Sequence, residues 1–189
     1  MRTKKIKLFA FIMTFLGITS FVSAQRSYTL DAKSAFSVSG TSTLHDWEMK
    51  SGSGTGAAGF TIANSKLTDI ESLSITLLAE SIKSEKKSMD KVAYKTLKTD
   101  KNKNIKYVLK SAEKVNENTW ELTGTYTIAG ISKDLKTTVK TTIIKGGLNL
   151  QGSNKITFGD FGMKSPTAML GTIKTGQDLT LKFNLNFNL

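Results

Sequence analysis

The sequence predicts an all-β protein of the antiparallel barrel or sandwich class, with about eight strands and one short helix. Two observations lead to this prediction. Apolar and polar residues alternate over most of the chain, and Pro166 is the only proline in 189 residues. Alternation at every second residue gives a strand one apolar and one polar face. Short turns between such strands favour an antiparallel meander, and closure into a barrel removes its exposed edges.

The N-terminus resembles an export signal. Basic residues occur within residues 1–7, an apolar run follows over residues 8–22, and Val22-Ser23-Ala24 is a small-residue site typical of signal peptidase cleavage. The apolar run is shorter than the ~20 residues of a membrane-spanning helix. We expect removal of residues 1–24 and a mature domain of residues 25–189, periplasmic or secreted. The signal holds four cations and no acids, so its removal lowers the formal charge from +12 to +8.

The first half of the chain contains three strand patterns. Phe36 and Val38 alternate with serines, and a polar segment over residues 40–49 follows, with Trp47 embedded in it. A glycine-rich stretch leads into a second alternation around Phe60. The third strand carries its apolar residues at Leu73, Ile75, Leu77 and Ala79. Glycines within strands are typical of bulges and strongly bent positions, which barrels require.

The periodicity becomes helical between Ser88 and Lys98. The apolar residues Met89, Val92, Ala93 and Leu97 occur at helical spacing, with lysines on the other side. Ser88 is the predicted N-cap. We predict a short helix that lies on the sheet.

The second half of the chain alternates most regularly. A strand around Tyr107 and Leu109 precedes a hairpin over residues 120–143, whose turn contains Gly130. Another strand follows over residues 148–158, and residues 161–176 are predicted as a loop. The final strand has leucine or phenylalanine at every odd position from 179 to 189 and polar residues between them.

Several segments resemble the YceI-like family of exported lipocalin-like barrels. They are residues 123–135 (TGTYTIAGISKDL), residues 158–163 (FGDFGM) and residues 176–181 (GQDLTL), in the family's order and spacing. The segment over residues 42–47 differs from the best-known members, which indicates a divergent branch. The resemblance implies an eight-stranded antiparallel barrel with a helix capping it. It also implies a long apolar tunnel that binds an isoprenoid chain, such as a quinone tail or a polyprenyl compound, in the periplasm.

The inward faces of the strands define the candidate lipid site. A hydrocarbon chain offers only apolar surface, so its affinity would come from area removed from water, at ~25 cal/mol per Å². The alternative is that the same side chains fill the barrel and leave no void. The residues predicted to line a tunnel are Phe36, Val38, Trp47, Phe60, Leu77, Tyr107, Leu109, Trp120, Leu122, Tyr126, Phe161, Leu181 and Phe183.

A cluster of lysines over residues 83–110 forms a second candidate feature. It could attract an anionic headgroup or a membrane surface, with Lys87 and Lys91 as contacts, or it could be a solvated face. If the barrel is filled, the protein would instead be a structural or interaction domain that contacts acidic envelope components through this basic helix region. Nucleic acid is not an expected partner, because export separates the two and no recognition motif occurs.

Enzymatic and metal chemistry are disfavoured by composition. The chain has no cysteine, which excludes disulfides and thiolate sites, and His45 is the only histidine. Neighbouring strand residues point to opposite faces, so His45 and Asp46 are not expected to pair. A structural position at the rim, contact with a ligand headgroup, and catalysis all remain open for His45. We predict a non-enzymatic binding protein without a cofactor.

Overall fold

The structure is a computed structural model that describes residues 26–189. The predicted export signal therefore lies outside the described residues. One helix, α1, spans Lys87–Leu97. The strands are β1 Arg26–Leu30, β2 Ala35–Ser42, β3 Trp47–Ser51, β4 Gly54–Ala63, β5 Lys66–Leu78, β6 Asn104–Asn116, β7 Thr119–Ile128, β8 Ile131–Ile144, β9 Gly147–Thr157, β10 Thr167–Ala168 and β11 Ile173–Asn188.

The strands form a closed antiparallel barrel with eight positions around its wall. Neighbouring strands follow the order β1, β4, β5, β6, β7, β8, β9 and β11, and pairing of β11 with β1 closes the ring. β2 and β3 continue two of these positions upward: β2 pairs with β11 above β1, and β3 pairs with β2. The predicted fold class, an eight-stranded barrel with a short helix, is confirmed.

Two of the eight positions bend where one strand ends and the next begins. Between β1 and β2, the backbone N–H of Ser34 donates to the carbonyl of Asp31. The Ser34 hydroxyl also accepts a hydrogen bond of 3.0 Å from the N–H of Asn186 on β11. Between β3 and β4 the chain bends at residues 52–53. At these bends the strand direction changes. The lower part of the barrel closes through β1 and β4, and β2 and β3 continue the wall above them.

The hairpin of β7 and β8 shows how the alternation produces the wall. Alternate residues of β7 from Trp120 to Ile128 are buried and those between them are partly exposed. On β8 the buried positions are Thr137, Val139 and Thr141. Ile143, which the alternation of this strand places on the same face, is exposed near the end of the strand. Two of the three buried residues of β8 are therefore threonines.

Other boundaries differ from the sequence prediction. The alternation did not predict β1. The polar segment over residues 40–49 contains the end of β2 and the start of β3, and the predicted loop over residues 161–176 contains β10 and the start of β11. The predicted N-cap at Ser88 is wrong, because α1 begins one residue earlier and the position before it is Lys86.

A lipid-sized cavity with a helical lid

The upper half of the barrel encloses a cavity of about 640 Å³. Its volume lies within the roughly 300–1,000 Å³ typical of small-molecule sites. Aliphatic and aromatic side chains from the upper ends of the strands form most of its wall. The deeper wall residues are Phe36, Val38, Met49, Leu73, Ile75, Leu77, Ile105, Tyr107, Leu122, Tyr126, Leu150, Ile156, Leu181, Phe183 and Leu185. The cavity is therefore suited to an apolar molecule.

The lower half of the barrel is filled. Phe60, Trp120 and Phe187 are each at most 2% exposed, although all point into the barrel. The ring of Phe60 packs at 5.2 Å from Tyr28 and at 5.5 Å from Phe187, measured between ring centroids. None of these four residues borders the cavity. The cavity is thus blind at its lower end, where the family resemblance implied a long tunnel.

The lower wall divides between β5 and β6. These strands pair only from Ser74 with Val108 to Leu78 with Asn104, although each is 13 residues long. Below this point the Lys114 ammonium spans the gap, since it donates to the carbonyl of Leu67 at 3.0 Å. It also lies 5.6 Å from the ring centroid of Trp120, within cation–π range.

Helix α1 covers part of the upper opening with its apolar side. Met89, Val92, Ala93 and Leu97 line the cavity from above. The helix is tied to the segment that precedes it. The Tyr94 hydroxyl reaches the carbonyls of Glu80 and Ile82 at 2.8 and 3.1 Å. The Asp90 carboxylate accepts hydrogen bonds from the N–H and hydroxyl of Ser84. All these ties lie on one side of the opening, as in a lid attached along one edge.

Glycines leave room for aromatic rings to lie against the wall. A Cβ at Gly152 would lie 2.6 Å from the ring of Phe183, which is its direct cross-strand partner. A Cβ at Gly54 would lie 2.5 Å from Phe36, and one at Gly124 would overlap the ring of Tyr107. A glycine opposite an aromatic residue lets the ring fold over the neighbouring backbone. These rings therefore occupy space within the wall instead of the centre of the barrel.

Tyr107 and Tyr126 place polar atoms in this apolar wall. Their rings pack edge to face with centroids 4.8 Å apart. The Tyr126 hydroxyl bonds the inward-facing Thr137 hydroxyl at 2.9 Å, and Asn154 donates to the same Thr137 oxygen at 2.8 Å. The Tyr107 hydroxyl has no hydrogen-bond partner among the described residues. Burial raises the pKa of both phenols, so both stay neutral at physiological pH.

The mouth carries the residues of the unusual segment over residues 42–47. His45 borders the opening, and its Nδ1 donates to the backbone carbonyl of Asp46 at 2.6 Å. The two side chains do not pair, as the sequence indicated. The Trp47 indole stacks over Gly40 and donates to the carbonyl of Thr41 at 3.0 Å. The Ser42 hydroxyl also holds this segment, since it accepts the N–H groups of Leu44 and His45 and donates to the carbonyl of His45.

Most residues predicted to line a tunnel surround this cavity: Phe36, Val38, Trp47, Leu77, Tyr107, Leu122, Tyr126, Leu181 and Phe183. The structure places the others elsewhere. Phe60, Trp120 and Phe161 are buried in the core, and Leu109 lies beside a register shift between β6 and β7. Of the predicted headgroup contacts, His45 borders the mouth, whereas Lys87 and Lys91 do not and Lys86 does. Contact of these residues with a ligand stays a prediction.

Several residues that line the cavity were not predicted from the sequence. Thr137 lies two residues before Val139, so alternation places it on the inward face, but its polar side chain gave no reason to count it among the residues that line an apolar cavity. Pro166 and Met169 line the mouth from the segment that was predicted as a loop. Among the missed residues, the apolar residues of α1 were the easiest to predict. Their helical spacing gives the helix one apolar face, which must pack against another apolar surface.

Fold and site together define a class of protein: a small antiparallel barrel, closed at one end and holding an apolar cavity under a helical lid. The YceI-like domain matches residues 28–187, and the chain belongs to this family. No curated protein matches the chain. Within residues 26–189, the lid helix is too short and too polar to cross a membrane.

Solved structures share the fold at low sequence identity. Burkholderia cenocepacia BcnA aligns with a TM-score of 0.70 and 17% identity, over 83% of this chain and 98% of that one. A polyisoprenoid-binding domain from Saccharophagus degradans, implicated in plant cell wall breakdown, gives 0.68 and 12%, over 85% and 97%. The Campylobacter jejuni YceI protein gives 0.58 and 22%, over 69% and 79%.

Proposed function

We propose that this protein is exported and binds one isoprenoid chain, such as a quinone tail or a polyprenyl compound, in the upper half of its barrel. The apolar cavity of about 640 Å³ carries the proposal. Contact between water and a wall of leucine, phenylalanine and tyrosine side chains costs free energy. A hydrocarbon chain that fills the cavity removes this apolar surface from water and so binds favourably. The structural similarity to a polyisoprenoid-binding domain supports the choice of lipid.

The position of the opening orients the ligand. The lower end is blocked by the aromatic cluster of Tyr28, Phe60 and Phe187, so the hydrocarbon enters from above. Any polar headgroup then stays at the mouth, near His45 and Lys86. No covalent step is needed for such a role, since shielding the chain from water requires only apolar surface.

A filled barrel acting as an interaction domain is the competing function. It requires that the inward side chains occupy the whole interior. The lower half meets this condition, but the upper half encloses the cavity instead. The lipid-binding function therefore accounts for more of the molecule.

Mass spectrometry on purified protein tests the proposal. The protein is isolated from a bacterial periplasm without detergent, and its organic extract is analysed together with those of two variants. Val38→Trp places a large ring in the cavity, whereas Val108→Trp places the same ring on the outer surface of β6. We expect an isoprenoid at about one per protein in the native chain and in Val108→Trp, and at least about a tenfold loss in Val38→Trp.

The two tryptophans offer an independent measurement. Trp47 borders the mouth and Trp120 lies in the filled half. Added quinone should quench the fluorescence of Trp120→Phe, which retains Trp47, much more than that of Trp47→Phe. Equal quenching of the two variants, together with an extract free of lipid, would contradict the proposal.

A further inference from the structure

Two hairpin tips at the mouth expose large apolar side chains. Leu44 lies in the turn between β2 and β3 and is 65% exposed. Met169 and Leu170 form the turn between β10 and β11, where Met169 is 73% exposed and Leu170 is fully exposed. We call these three residues the apolar tip.

The two turns lie side by side. The N–H of Thr43 donates to the carbonyl of Lys174 at 3.0 Å, and the N–H of Lys174 donates to the Thr43 hydroxyl at 3.1 Å. Lys174 also pairs with Thr167 on β10. Leu44 and Met169 both border the cavity opening. The two adjacent turns therefore hold the residues of the apolar tip at the entrance of the cavity.

The backbone of the second turn is unfavourable for the residues it holds. Met169 and Leu170 adopt φ values of 50° and 54°, a left-handed conformation that glycine adopts without steric cost. Bulky residues in this conformation are genuine outliers. In the free protein this turn therefore carries two costs in free energy: the strained backbone and the exposure of two apolar side chains to water. Such outliers and patches cluster at binding surfaces.

Basic residues accompany the apolar tip. The segment over residues 83–103, which contains the lid helix, carries eight lysines against Glu85, Asp90 and Asp100. Asp90 is buried and already holds Ser84. Within residues 26–189, none of these eight lysines forms an ion pair.

The charges closest in sequence to the tip are mixed. Lys164 and Lys174 flank the second turn, and Asp46 lies two residues after Leu44. Glu48, further along β3, is paired with Lys50 at 2.8 Å. Unpaired positive charge therefore predominates on this end of the molecule.

We propose that the mouth docks on an anionic phospholipid bilayer, with the apolar tip inserted at the headgroup boundary and the lid lysines attracted to the lipid charges. A projecting apolar patch with basic neighbours matches such a surface. The docked orientation would bring the cavity opening against the membrane, so an apolar chain could pass between them without crossing water. The purpose of docking rests on the proposed function, but the docking itself does not.

Vesicle co-sedimentation of the mature protein tests this inference. The vesicles are phosphatidylcholine with about 30 mol% phosphatidylglycerol, compared with phosphatidylcholine alone. The tip variant combines Leu44→Ser, Met169→Ser and Leu170→Ser. The control variant combines Val115→Ser, Ile143→Ser and Leu189→Ser, three exposed apolar residues near the lower strand ends. All six positions are exposed, so both variants should fold.

The tip variant should bind anionic vesicles at least about tenfold more weakly than the native chain, and the control variant should bind within about twofold of it. Native binding should also fall in high salt and on neutral vesicles. Equal binding by the native chain and the tip variant would overturn the inference, as would equal losses in the two variants.

Extraction of bound lipid from the same preparations separates the two proposals. Tip-dependent vesicle binding by a protein that carries no isoprenoid would leave docking intact and remove the lipid-binding function. Isoprenoid loading with tip-independent vesicle binding would do the reverse.

Discussion

The two halves of the barrel follow the same alternation of apolar and polar residues, but the lower half has a packed core and the upper half has a cavity. In the lower half, Phe60, Trp120 and Phe187 are buried in one core cluster, and the rings of Phe60 and Phe187 pack edge to face. The upper half has rings of similar size, but Phe36, Tyr107 and Phe183 lie over glycines in the wall. The difference between a packed core and a cavity is therefore set by where rings lie and not by how large they are.

Removal of one aromatic ring from each half should give the largest difference in stability between the two halves. Phe60→Ala should lower the free energy of unfolding by about 3–5 kcal/mol, because it leaves a void in a close-packed cluster. Phe183→Ala should cost less than half as much, because that ring already borders a cavity. Urea unfolding followed by circular dichroism measures both. Equal costs would show that the upper rings are as tightly packed as the lower ones.

Alkaline pH should destabilise the protein through the two buried tyrosines of the upper half, Tyr107 and Tyr126. Burial raises the pKa of both phenols above that of an unfolded tyrosine, near 10. Above pH ~10 the unfolded chain loses protons that the folded chain keeps, so stability should fall with rising pH, by up to ~1.4 kcal/mol per pH unit for each phenol. Below that pH neither phenol contributes a pH dependence.

Phenylalanine substitutions separate the two contributions. Tyr107→Phe should weaken the alkaline loss and leave neutral-pH stability equal or higher, because its hydroxyl has no partner. Tyr126→Phe should weaken the alkaline loss too, but lower neutral-pH stability by about 1 kcal/mol through the lost bond to Thr137. Unfolding curves at pH 8 and pH 11 check this. Identical behaviour of the two variants would contradict the assigned hydrogen bonding.

The smallest expected effect concerns how the lower half stays closed. Lys114→Met keeps the length of the side chain but removes the hydrogen bond to Leu67 and the charge over Trp120. We expect a loss of about 1 kcal/mol. Lys110→Met, whose ammonium is paired with Asp134 at the surface, serves as the control and should cost less. Faster hydrogen exchange in β5 would locate the effect at the divided wall.

Much of the wall could be predicted from the sequence. Period-two alternation assigns each residue to one face, and the buried residues of β7 follow it without exception. Periodicity does not give depth along the barrel axis, however. Trp120 and Tyr126 share one face of one strand, yet only Tyr126 reaches the cavity. Depth depends on how strands are staggered, which is a property of the pairing.

The alternation alone also left open whether the barrel holds a cavity, and only the family resemblance implied one. An internal void is a small difference between the volume a wall encloses and the volume its side chains fill. Phe161 illustrates the difficulty: it was predicted to line a tunnel, but its turn carries it into the core, where it is completely buried. The turn is held by Asp160, whose carboxylate accepts the N–H of Thr157 at 2.7 Å.

The glycines opposite the aromatic rings make the bore of this barrel adjustable. An alanine at Gly152 or Gly124 would displace a ring toward the axis and narrow the passage, while the hydrogen-bonded ladder would remain the same. A smaller residue in place of Phe183 would widen it. A single substitution at one of these positions would therefore change the width of the cavity, while the backbone and the number of strands stay the same.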